Sequence, residues 1–408
     1  MLFRSKAIMS RETLLAFPDF TKDFHVYTGI LIIFSACNGN KKAFPILKLA
    51  NENILKISDS IQFNLDSTTI PKSENIYLID SFLYIANIEA SIISKININT
   101  NKILSIKLQL NRFGEPQIFQ HIFVQNEKIV GLLTKSSKGF IFNIKGIALD
   151  SFLLSNNNDV TSGKIVTDNP LVSTIQPLLL NDSFVYSLGF ALIEGKYVKD
   201  ESRFILCASN RLEKTFYVNY PKSYFNKNWG GTYLRMTYST TVGDSLIVIS
   251  FPASNEIAVF NTKTRIANYI NCFPNIDTLI TPVADLNETK TKQINVAKHF
   301  FKQYSFQALI FDRYRNVYYR ILNKPMPIKN DDGNSIGNLN KLILVYDNKF
   351  SYLGYKEIQG SLYSNTTLLI HPKGLLIQKL KNNNDEEHIN FDLFSIDSSS
   401  INILSKKR

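Results

Sequence analysis

Cysteine, glycine and proline are all scarce, at 3, 17 and 13 residues in a chain of 408. Three cysteines cannot staple a small secreted scaffold, and so little glycine and proline excludes collagen-like and low-complexity chains. Compact chemical signatures are missing as well: the sequence holds no CxxC pair, HExxH, GxSxG elbow, P-loop or GxGxxG. Structural zinc, zinc hydrolysis, the α/β-hydrolase mechanism and nucleotide binding therefore have no local support. The histidines, at positions 25, 121, 299, 371 and 388, stand isolated, so no metal and no cofactor is expected. Lys and Arg outnumber Asp and Glu by 46 to 34, but the excess is scattered, with no basic helix or RNA-binding aromatic signature. Nucleic acid is not an expected partner. What is present is apolar: 44% hydrophobic against 20% charged residues supports a sizeable core and excludes a disordered chain.

The stretch VYTGILIIFSAC over 26–37 contains about eleven apolar residues, too few to span a bilayer as a helix and suited to a signal-peptide h-region. It ends on Phe34-Ser35-Ala36-Cys37, which resembles the lipobox of bacterial lipoproteins, where small residues precede a cysteine that is diacylated and becomes the mature amino terminus. It departs from the usual form in Phe34, where an aliphatic residue is common. The leading segment is also long and carries Glu12, Asp19 and Asp23 beside Arg4, Lys6, Arg11 and Lys22. The resemblance implies a signal peptide over 1–36, a lipid anchor at Cys37 and a tether over 37–52, with the membrane as partner and the bacterial cell envelope, at its outer membrane, as location. Asn38-Gly39-Asn40-Lys41-Lys42 has the composition of a flexible spacer. The alternative is an incidental cysteine in an amino-terminal strand or buried helix. Periplasmic or surface orientation and oligomeric state stay open. Cys207 and Cys272 lie inside apolar, strand-like runs and are expected to be small buried hydrophobes, paired or not.

From residue 53 to 408 short runs of Ile, Val, Phe, Tyr and Leu alternate with Asn, Asp, Ser, Gly and Lys turns, the punctuation of β-strands. In SIISKINI, residues 91–98, Ile92, Ser94, Ile96 and Ile98 project to one side and Ile93, Lys95 and Asn97 to the other. Four such runs fill 77–110, and the pattern recurs over 118–154, 174–220, 233–271 and 307–358; residues 367–396 supply three. Four antiparallel strands make one propeller blade. The expected fold is all-β: a single β-propeller of six four-stranded blades, the last completed by the amino-terminal run Ile54 to Leu65, which removes two free edges. A seventh blade hidden in 272–300, or a pair of β-sandwiches, is the alternative.

Several runs together resemble a family of Bacteroidota lipoproteins known as domain of unknown function 4221. They are Phe113-Gly114-Glu115-Pro116, Gly146 at the end of GFIFNIKG, SLIVISFP over 245–252 and, most distinctively, IFDRYRNVYYRIL over 310–322. The resemblance spans roughly residues 50 to 395 and implies a secreted propeller lipoprotein, with no activity to transfer.

Candidate ligand-binding residues are few. Asp312-Arg313-Tyr314-Arg315-Asn316 is a polar turn, and on the strand after it Tyr318 and Arg320 share one face while Tyr319 takes the other. Tyr beside Arg can stack on a sugar or clamp a carboxylate, or make a contact within or between blades. Trp229, the only tryptophan, follows the third unit with Tyr224, Phe225 and Tyr233 nearby; it suits a carbohydrate or peptide platform, or a plug between blades. Asn330-Asp331-Asp332-Gly333-Asn334 fails calcium-loop spacing and reads as a long hairpin turn. Asp385-Glu386-Glu387 reads as a solvated turn, and Glu115 and Asp150 remain possible acids. The favoured function is a binding module for a glycan, peptide or partner protein rather than an enzyme. The alternative is a polysaccharide hydrolase or lyase whose carboxylates converge from different blades.

Overall fold

The structure, a computed structural model, describes residues 47, 49–50, 52–70, 73, 75–110, 119–125, 128–133, 138–153, 172–180, 185–189, 202–208, 213–225, 227–229, 232–274, 279–285, 296–326, 339–380 and 387–397. All of them belong to the unit Pro45–Arg408. Cys37, Glu115, the turn 330–334 and residues 385–386 lie outside the described residues.

The described chain is almost entirely β, in a propeller arrangement of four-stranded antiparallel sheets. Five sheets, the first to the fifth, are each built from four strands consecutive in sequence, within 76–107, 119–153, 179–219, 238–271 and 305–358. The remaining four-stranded sheet joins the two ends of the chain: Leu55–Asn64 pairs with His388–Ile396, followed by Gly374–Lys379 and Tyr363–His371. Blades continuous in sequence therefore number five rather than six or seven. In the closing sheet Leu55 stands opposite Ile396 and Asn64 opposite His388, with a register shift between Ile57 and Asp59. This is the pairing expected of the amino-terminal run, and it gives the ladder groups of His388–Ile396 partners on both sides.

Burial follows position within each sheet. Val317–Asn323 (VYYRILN) is buried at every residue, whereas the outer strand Ile266–Asn271 (IANYIN) has no buried residue. Middle strands have sheet neighbours at both edges and other sheets over their faces, so they carry continuous apolar runs; outer strands meet solvent and tolerate Asn and Lys. Phe63 of the closing strand packs edge-on to Phe391, with ring centroids 5.9 Å apart. It shares a buried cluster with Ile76, Leu83, Ile85 and Ile96 of the first sheet, so closure also buries an intersheet seam.

Two expected elements differ. The four-run unit 174–220 implies a first strand over TIQPLLLN, residues 174–181, but only Leu179–Leu180 pairs, because Pro177 offers no donor and residues 173–176 form a tight turn instead. Where a seventh blade would lie, the described residues give only the two-residue strand Ala284–Asp285, paired with Lys227–Asn228, and the helix Val296–Phe301. Gly146 has a local explanation: its φ is +79°, and a Cβ there would sit 2.2 Å from the carbonyl oxygen of Lys107. The first and second sheets approach at this point through Gln109 N–H to the Gly146 carbonyl, 2.8 Å.

Candidate functional site

Antiparallel pairing sorts the connections between two rims. Turns between first and second strands, such as 80–81, 243–245 and 372–373, are short and emerge at one rim. The strand ends that bound the second-to-third intervals 190–201, 324–340 and 380–387 and the sheet-to-sheet intervals 108–118, 154–178, 220–237 and 272–304 lie at the other rim, where the first strands begin. Long connections are where binding residues concentrate on rigid scaffolds.

At this second rim the innermost strands break register. Shifts fall between Phe119 and His121, between Phe306 and Ala308, and between Tyr363 and Leu368. The residues released from strict alternation include the amides Gln120, Gln307 and Asn365, and bulges of this kind re-aim side chains near binding sites. The Gln307 amide donates to the Asn365 carbonyl, 3.2 Å, linking the fifth sheet to the closing one.

The turn 173–176 lies across the space that the inner strands surround. Ser173 and Gln176 exchange backbone hydrogen bonds of 3.2 and 3.1 Å. Thr174 Oγ1 accepts from Ile76 N–H of the first sheet, 3.0 Å, and the Gln176 amide donates to the Thr237 carbonyl ahead of the fourth sheet, 2.9 Å. Ile175, between them, is buried in the cluster that includes Tyr238, Ala308, Tyr363 and Leu368. One turn thus bonds the inner edges of the first and fourth sheets, and its Ile175 shares a buried cluster with residues of the fifth and closing sheets.

Beside it lies a polar row that sequence reasoning missed. Ser305, Asn323 and Lys341 stand directly opposite one another on three neighbouring strands of the fifth sheet, so their side chains share one face. All three are buried. The Asn323 amide donates to Ser305 Oγ, 3.2 Å, while its Oδ1 has no hydrogen-bond partner among the described residues. The Lys341 amine donates to Asn365 Oδ1 of the closing sheet. Burial lowers the pKa of that amine to about 7, because a charged ammonium loses its hydration in an apolar setting. An ion pair on the same sheet, Lys324 Nζ to Glu357 Oε1 at 2.7 Å, does not include Lys341. The only sequence signal was a lysine heading the apolar run KLILVYD, a common way for a strand to start.

The candidates read from sequence are distributed otherwise. Arg320 is buried, and its guanidinium donates to Ser250 Oγ (2.9 Å) and to the carbonyls of Asn255 (3.0 Å), Ser254 (2.8 Å), Phe251 (3.3 Å) and Glu256 (3.4 Å). Its Cζ lies 3.3 Å from the Phe306 ring centroid. It fastens the fifth sheet to the 251–256 turn of the fourth. Tyr318 is buried, stacked on Phe350 at 4.4 Å, and burial raises its phenol to about 12. Trp229 is buried too; its indole N–H reaches the Tyr224 carbonyl at 3.2 Å and its ring lies 5.0 Å from that of Tyr224. Arg313 alone is exposed, on the short-turn rim, with an ion pair to Asp80 at 3.0 Å. There Asp312 accepts from Arg315 Nε at 2.5 Å and Tyr319 Oη at 3.0 Å.

Cys272 is a buried free thiol. His121 is held neutral by burial, its pKa lowered to about 4. Asp150 lies on an outer strand and accepts from Ser151 N–H at 2.8 Å. Among the described residues no three His, Cys, Asp or Glu side chains gather as a metal site, and no helix is long and apolar enough to cross a membrane.

A propeller with a turn bridging its inner strands and long connections on one rim is the class these features define. The family model described as "Domain of unknown function (DUF4221)" matches residues 51–357, and the chain belongs to that family. A DUF4221 family member from Bacteroides vulgatus, known from its crystal structure, is 15% identical over 84% of this chain and 98% of its own, with a TM-score of 0.63. A protein of Bacteroides fragilis designated as exported is 11% identical over 87% of this chain and 98% of its own, with a TM-score of 0.48. The calcium-binding protein regucalcin from Agrobacterium tumefaciens is 8% identical over 82% and 94%, with a TM-score of 0.38. These likenesses concern fold alone. No curated protein sequence matches the chain.

Proposed function

We propose that this protein is a lipid-anchored propeller of the bacterial cell envelope whose long-connection rim binds a glycan. The observation that carries the reading is the division of the molecule: the turn 173–176 bridges the inner strands of the first and fourth sheets, while amide and hydroxyl side chains gather on the fifth and closing sheets beside the strand ends that bound 324–340. Amides, hydroxyls and one amine at a strand-end rim suit a polyhydroxylated ligand better than an apolar groove would. The four-stranded sheets act as blades of one ring of six, the closing blade pinned by Leu55–Asn64. Tyr318, Arg320 and Trp229 then serve as supports of that ring, and Arg313 remains the one exposed member of the original set. Anchoring rests on Ser35-Ala36-Cys37 after a short apolar run. Metabolic labelling with an alkynyl fatty acid should tag the wild type and not Cys37→Ser; equal labelling would remove the anchor.

Binding is tested by presenting the protein to a glycan array beside a peptide array, with retention on glycans expected. Retention on peptides alone would sink the glycan reading. A polysaccharide hydrolase or lyase stays as the second reading because an amine near pKa 7 suits proton abstraction. Release of reducing ends or unsaturated sugars from the retained glycan would favour it.

A further inference from the structure

Lys341 has an unusual environment for a lysine. Its side chain is buried at the first position of its strand, and among the described residues its one hydrogen bond goes to a neutral amide oxygen, Asn365 Oδ1, and no carboxylate pairs with it. A buried ammonium without a counter-ion is costly, so an ion of opposite charge would be held there strongly. On the adjoining strand, in direct register, Asn323 Oδ1 is buried and lacks a donor among the described residues. Unsatisfied buried acceptors are uncommon in folded proteins and call for a partner. One cation and one acceptor without a donor thus stand side by side on one sheet face, at the strand ends Asn323 and Lys341 that bound the interval 324–340.

We propose that Lys341 and Asn323 receive a sugar acid: the carboxylate of a uronic acid residue pairs with the Lys341 amine, and an adjacent ring hydroxyl donates to Asn323 Oδ1. This deepens the glycan-binding reading and rests on it for the identity of the larger ligand. A neutral sugar supplies the hydroxyl without the charge. Inorganic phosphate, largely the monohydrogen dianion at pH 8, supplies charge and a single P–OH donor, but it lacks the ring that sets a hydroxyl at a fixed distance from a carboxylate. A carboxylate beside the amine also restores the charged state that burial disfavours, so binding draws a proton from solvent above the amine's depressed pKa.

Isothermal titration of the full-length protein at pH 8 with glucuronate, glucose and inorganic phosphate, repeated in two buffers of different ionisation enthalpy, tests this. Glucuronate should bind best and with net proton uptake. Lys341→Met should weaken it about tenfold or more, as removal of a charge-assisted bond does, with Lys341→Arg restoring part of the affinity. Melting curves establish that the variants fold; if Lys341→Met does not, proton uptake by the wild type decides. Glucose or phosphate binding as well as glucuronate, or glucuronate binding without proton uptake, would overturn the assignment. Neutral glycans retained on the array with no glucuronate binding would remove this inference and leave the glycan reading standing. Glucuronate bound by a protein that retains no array glycan would do the reverse.

Discussion

Arg320 shows how one residue type serves opposite ends. Sequence spacing places it beside Tyr318 on a strand face, a pattern equally suited to clamping a ligand carboxylate or to holding two sheets together. Five of its acceptors belong to residues 250–256, and Phe306 covers the guanidinium plane. Arg320→Met should therefore lower unfolding free energy by roughly 3 to 5 kcal/mol, since four carbonyls and a hydroxyl lose their donor at once. Urea unfolding measures it; a loss under about 1 kcal/mol would mean that the turn finds other donors. Lys341 differs, being a buried amine with no acid paired to it among the described residues. Its amine titrates near 7 in the fold against an ordinary 10.5, so between those values the unfolded chain binds more protons. Stability then rises with pH across that window by up to about 1.4 kcal/mol per unit from this group, and does not depend on it below pH 7. The difference in unfolding free energy between wild type and Lys341→Met, followed from pH 7 to 9.5, should show that slope. A flat difference would place the amine in water.

At the scale of elements, alternation and turn residues were legible. The runs proposed as strands fall within or within a few residues of the observed strands, because a β ladder imposes a period of two and its turns favour Asn, Asp and Gly. Asn101 and Asn316, both at positive φ, sit in such turns. What failed was the element with a proline: Pro177 turned an expected inner strand into the turn 173–176. The closing strand offers an internal control. Phe63 is 1% exposed in the seam with the first sheet, whereas Ile57 is 53% exposed on the same strand. Phe63→Ala should cost about 3 to 5 kcal/mol and Ile57→Ala under about 0.5. Equal effects in thermal melts would mean that the seam is not where the strand contributes.

For the whole molecule, closure from both ends makes the amino-terminal strand indispensable. Deletion through residue 44 should leave a cooperative unfolding transition, since the strands of every four-stranded sheet lie between Leu55 and Ile396. Deletion through residue 66 should abolish it, because the last sheet is left with three strands and an open edge. Coincident midpoints for the two truncations, measured in urea, would contradict closure as a source of stability.

Sequence by itself determined the all-β class, the sheet-by-sheet segmentation and the pairing of Leu55–Asn64 with the last three strands, because these rest on local periodicity and on counting runs. It also carried the family resemblance. Only the tertiary structure decided which polar residues meet: Ser305, Asn323, Lys341 and Asn365 come from four strands in two sheets, and no local pattern links positions 305, 323, 341 and 365. The same holds for the bridging turn 173–176 and for the burial of Trp229, Tyr318 and Arg320. Periodicity tells which way a side chain points from its own strand; what stands opposite is fixed by the packing of sheets distant in sequence.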